Sequence, residues 1–93
     1  MKALYRFNVS FRRSGDLSGI FIANKEDVDN LIKNSTTIWF GEVLGKHSEI
    51  VLDMEDDMFT MLTDEQEVLD IVRKYNLENG YNPFNYIEED ENN

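Results

Sequence analysis

Tyr5, Phe7, Val9 and Phe11 alternate with Arg6, Asn8, Ser10 and Arg12. A period of two sets the apolar residues on one face of a strand and the polar ones on the other. Arg13-Ser14-Gly15-Asp16 carries turn residues ahead of a second apolar run from Gly19 to Ala23, which predicts a hairpin. The period then changes, because Val28, Leu31 and Ile32 follow Asn24 at helical spacing with Glu26 and Asp27 in the first turn. Asn24 supplies a cap and the two acids complement the helix dipole, so a short helix is predicted from Lys25 to Lys33.

Thr36 to Leu44 is rich in β-branched and aromatic residues and predicts a third strand, with Gly45 marking a turn before a fourth from Glu49 to Leu52. Met58 to Leu62 predicts a fifth. The acidic stretch Asp53-Met54-Glu55-Asp56-Asp57 between them has turn composition, which predicts a second hairpin. Thr63-Asp64-Glu65-Gln66 has capping-box spacing ahead of Val68, Leu69, Ile71, Val72 and Tyr75, and so predicts a second helix. The order ββαβββα implies a small α+β domain, an antiparallel-dominated sheet with two helices packed on it. The expected domain spans residues 1–87, with residues 88–93 as a disordered acidic tail.

Strand phase raises a functional question. If Ile20, Ile22, Ile38, Phe40, Ile50 and Leu52 face the helices, then Phe21, Trp39, Val51 and Phe59 or Met61 point the other way. That second face is too apolar to be fully solvated. Either a helix or the aromatic segment Tyr81-Asn82-Pro83-Phe84-Asn85-Tyr86 folds over it, or it is a dimer or partner interface centred on Trp39.

With 93 residues, 41% of them hydrophobic and 12% aromatic, the chain has material for one packed core and one domain. No apolar run approaches the roughly 18 residues of a membrane span. Arg6 and Asn8 interrupt the first apolar stretch, so neither a membrane span nor a signal peptide is expected. There is no Cys, which removes disulfides and thiolate chemistry and fits a reducing compartment; the expected location is the cytoplasm.

Charge adds an asymmetry. Up to Lys46 there are seven basic and five acidic residues, net +2, and from His47 onward two basic and fourteen acidic, net −12. The total of −10 disfavours direct binding to a nucleic-acid polyanion. A negative half suits a basic protein surface. The candidate partner-binding residues are therefore Asp53, Glu55, Asp56, Asp57, Asp64 and Glu65, with Trp39 as an apolar anchor.

Catalytic and metal motifs are weaker. Gly41-Glu42-Val43-Leu44-Gly45-Lys46-His47-Ser48 has three residues between its glycines where a P-loop has four, and His47 stands where Ser or Thr is needed. A predicted strand follows it instead of a helix. The segment still gathers an ammonium, an imidazole and a hydroxyl. With Arg6 and Arg12 from the first strand, Lys46, His47, Ser48 and Glu49 form an alternative site for a small anionic or nucleotide ligand. His47 is the single histidine, and Ser48 beside it points to the opposite face of an extended chain, so no hydrolase triad is indicated. Asp53, Glu55, Asp57 and Asp64 match four positions of a calcium loop, but Met58 replaces its glycine. No cofactor, metal or enzymatic activity is expected.

Small size, absence of Cys, acidity and Asn content together resemble small phage or mobile-element proteins that inhibit host defence, including acidic nucleic-acid mimics. The resemblance is one of composition and implies a noncatalytic, protein-binding regulator or inhibitor acting in the host cytoplasm.

Overall fold

A computed structural model describes residues 1–10, 15–42 and 49–87. Strand β1 (Lys2–Ser10) pairs with β2 (Asp16–Asn24) over its whole length, Lys2 opposite Asn24 and Ser10 opposite Asp16. The predicted turn between them lies partly outside the described residues. Asn24 ends β2 and caps helix α1 (Lys25–Lys33), its side-chain oxygen accepting from the Glu26 N–H at 2.9 Å. The helix has the predicted bounds, and Ser35, at φ 46°, turns the chain out of it.

Strand β3 (Thr37–Glu42) pairs antiparallel with β4 (Glu49–Asp53), and these two form a sheet of their own. The expected hairpin between the fourth and fifth strands is not formed. After Asp53 the chain sends Met54 into the core, makes a 3-10 turn at Asp56–Met58, and returns as β5 (Phe59–Thr63) alongside β1. Phe59 thereby reaches Phe7, their rings 5.4 Å apart, and this aromatic contact is available only beside β1. A short sixth strand, β6 (Asn79–Gly80), joins the far edge, giving a four-stranded order β5-β1-β2-β6.

Helix α2 (Gln66–Lys74) is present, but the predicted capping box is not. Thr63 remains the last residue of β5, and its hydroxyl accepts from the Glu65 N–H at 3.1 Å. Glu65 is the cap residue without a side-chain bond, and Gln66 reaches forward to Asp70. A hydroxyl committed to the strand exit cannot also close the first helical turn.

The two faces of the four-stranded sheet carry separate clusters. On one, Ala3, Tyr5, Phe7, Leu17 and Phe21 pack with Val28 and Leu31 of α1, Ile38 and Phe40 of β3, and Met54. On the other, Leu4, Ile20 and Ile22 pack with Val68, Leu69 and Val72 of α2. Ile20 and Ile22 thus lie opposite Phe21, and Phe21 shares the face of Ile38 and Phe40, unlike the expected phase. The architecture has three layers: α2, the larger sheet, then α1 with the β3–β4 hairpin. Ile71 and Tyr75, two of the apolar residues whose run predicts α2, are exposed.

The C-terminal aromatic segment closes the first cluster. It crosses β2 where Gly19 has no side chain; a Cβ there would meet the Tyr81 carbonyl oxygen at 2.2 Å. The Tyr81 N–H donates to the Ser18 carbonyl at 2.9 Å. Asn82 then caps a 3-10 turn, Pro83–Tyr86, by accepting from the Phe84 N–H. Phe84 meets Phe21 edge-on at 6.1 Å and Tyr86 lies 4.8 Å from Phe40.

Candidate docking surface

Trp39 and Val51 face each other across β3 and β4, one residue out of phase with the buried Ile38. Alternation along the strand forces this: inner positions Ile38, Phe40 and Leu52 serve the core, so Trp39 and Val51 point outward. Both stay about half open to solvent, 48% and 55% exposed. The segment Tyr81–Tyr86 packs on the inner cluster instead. Trp39 is a surface residue.

The next pair along the same face is Thr37 and Asp53, directly opposite one another. Thr37 Oγ1 donates to Asp53 Oδ1 at 2.5 Å. Asp53 is therefore the diagonal neighbour of Trp39, a spacing within reach of large side chains. Beside them, Thr36, Thr37, Trp39, Tyr86 and Ile87 line an open cleft of about 480 Å³. Trp39, Tyr86 and Ile87 contribute aromatic and aliphatic side chains to its lining, and Thr36 and Thr37 contribute small polar ones.

The predicted acidic residues divide into two groups. Glu55, Asp56 and Asp57 follow Asp53 and are exposed around the 3-10 turn. Asp64 and Glu65 lie beyond the other end of β5, whose five residues separate the groups by roughly 15–20 Å. Within the second group Asp64 is engaged. Lys25 donates to it at 2.7 Å, the one ion pair among the described residues. This hydrogen bond holds the Asp64 carboxyl below its ordinary value and raises the Lys25 ammonium above its own. Nearby, burial raises the Tyr5 phenol, and Asp29 adds to the effect. Asp53, Glu55, Asp56, Asp57 and Glu65 have no cationic partner among the described residues.

Of the alternative ligand site, Arg6 is exposed on the face of β1 that carries Leu4, with Thr60 as its partner on β5. Arg12, Lys46, His47 and Ser48 lie outside the described residues. Glu49 opens β4 opposite Glu42. Other open clefts among the described residues include one of about 180 Å³ beside Asn76, Glu78, Asn79, Asn82 and Asn85, and one of about 450 Å³ beside Lys2, Asn24, Asp27 and Phe84. Neither contains a predicted ligand residue. Among the described residues no three carboxylates or imidazoles are grouped to hold a metal ion, and no helix is long and apolar enough to cross a membrane.

No protein family, curated protein or solved structure matches this chain. The sequence already carried the signal for Trp39, through its phase relative to Ile38. It carried none for the cleft, because Ile87 and Tyr86 reach Trp39 only through the docking of the C-terminal segment across Gly19.

Proposed function

We propose that this protein is a noncatalytic acidic regulator or inhibitor that docks a basic surface of a protein partner. In this reading it belongs with the phage-encoded defence inhibitors that its composition resembles, and it works in the host cytoplasm. One observation carries the proposal: a half-exposed Trp39, next to an exposed Val51, shares its face with the carboxylate of Asp53. Tryptophan is a frequent energetic centre of protein interfaces, and covering its remaining surface is worth about 2–3 kcal/mol. The carboxylates of Asp53, Glu55, Asp56, Asp57 and Glu65, which have no cationic partner among the described residues, supply long-range attraction and select a basic partner.

Native mass spectrometry of the protein purified gently from its natural host tests this. The expected particle retains a basic protein, and it is lost when Asp56, Asp57 and Glu65 are each changed to Lys. An added mass of a few hundred daltons that leaves on unfolding would instead favour the small-ligand reading through Arg6 and the Lys46–Ser48 segment. Partner binding and salt dependence unaltered by the three reversals would refute the acidic docking mode.

A further inference from the structure

We infer that the cleft beside Trp39 receives an arginine side chain of the partner, its guanidinium stacked on the indole and paired with Asp53. The inference rests on the acidic docking reading and names what that surface takes. Its occupant follows from the chemistry of the walls. Trp39, Tyr86 and Ile87 offer apolar and aromatic surface in an open volume of about 480 Å³, which suits a long aliphatic stem. Thr37 lines the cleft and occupies one oxygen of Asp53, and no described residue donates a hydrogen bond to the other.

Three features favour arginine. The diagonal placement of Asp53 relative to Trp39 lets one planar group touch an aromatic face and a carboxylate together, and guanidinium does both better than ammonium. Its weaker hydration reduces the cost of leaving water in a half-apolar cleft. The local charge also has the right sign. Asp53 is followed by Glu55, Asp56 and Asp57, all exposed. A second copy of this chain would bring the same acids against one another and is disfavoured as occupant.

Trp39 is the single tryptophan, so its emission reports this cleft alone. The experiment titrates the full-length protein, at low ionic strength, with a capped peptide alternating arginine and glycine, and with its lysine and citrulline counterparts. The arginine peptide is expected to change the emission saturably. Lysine should bind several-fold more weakly, and citrulline, which keeps the shape and loses the charge, should give no saturable change. Asp53→Asn, an exposed substitution that keeps an acceptor for Thr37, should weaken the arginine peptide by about tenfold, the scale of one charge-assisted pair, with an unchanged circular dichroism spectrum.

Equal responses to lysine and arginine would reduce the effect to diffuse negative charge and overturn the assignment. So would arginine binding by calorimetry with no change in Trp39 emission, or an emission that shifts with protein concentration alone, which would mark a second copy as the occupant. If any of these occurs while charge reversal at Asp56, Asp57 and Glu65 still releases the basic partner, the arginine assignment falls alone. If the reversals leave the partner bound, the acidic reading falls with it.

Discussion

Ile20 and Phe21 point to opposite faces of the four-stranded sheet and both are covered, Ile20 beneath α2 and Phe21 beneath the α1 layer. Ile38 and Trp39 alternate in the same way in the two-stranded sheet, yet only Ile38 is covered. Identical local patterns thus have different consequences, decided by how many layers the topology supplies. An apolar residue on the outer side of the outermost layer has no further layer of the described chain to cover it. The proposed docking reading gives that exposed surface a role.

This contrast can be attacked residue by residue. Phe7 is fully buried and links the sheets, with Phe40 at 5.9 Å and Phe59 at 5.4 Å. Phe7→Ala should cost about 3–5 kcal/mol in urea unfolding, a large share of the total stability of a domain of this size. The adjacent pair gives the sharpest comparison. Ile38→Ala should lower stability by about 2–5 kcal/mol, whereas Trp39→Ala should change it by less than about 1 kcal/mol and weaken partner binding by at least about 2 kcal/mol. Equal stability losses would mean that Trp39 is covered in solution.

Gly19→Ala forces a Cβ against the Tyr81 backbone and should cost about 1–3 kcal/mol. The aromatic segment should loosen first, and amide exchange at Tyr81 and Phe84 is the readout. Reversal of Asp56, Asp57 and Glu65 to Lys should leave stability within roughly 0.5 kcal/mol per site while removing the partner. The smallest effect concerns Lys25 and Asp64. The lowered Asp64 carboxyl stabilises the fold above its ordinary value of 3.8, and this is lost as pH falls through the lowered value. The raised Lys25 ammonium stabilises below its ordinary 10.5, and that is lost as pH rises through the raised value. Asp64→Asn should flatten both limbs of a stability–pH curve, leaving the alkaline loss due to Tyr5, whose phenol is raised above 10.0.

Most local structure was legible from periodicity. The β1 alternation, the Asn24 cap and both helices are written in short-range pattern, and the α+β class follows from their order. Pairing was less legible. Strands β4 and β5 are separated by a turn-like acidic stretch, but Met54 within it was the overlooked signal, an apolar residue that plugs the core and redirects the chain toward β1. Thr63 mimics a helix cap because the same hydroxyl chemistry serves a strand exit. At the surface, strand phase identified Trp39, and pairing register placed Asp53 beside it. The gap between the two acidic groups, and the capture of Asp64 by Lys25, depend on long-range topology that charge counting along a sequence does not encode.

The most direct test of the docking face is acrylamide quenching of Trp39, in the free protein and with its basic partner bound. The docking face predicts ready quenching in the free protein and strong protection with a blue-shifted emission in the complex. A complex that forms with Trp39 quenched as readily as before would place the interface elsewhere and contradict it.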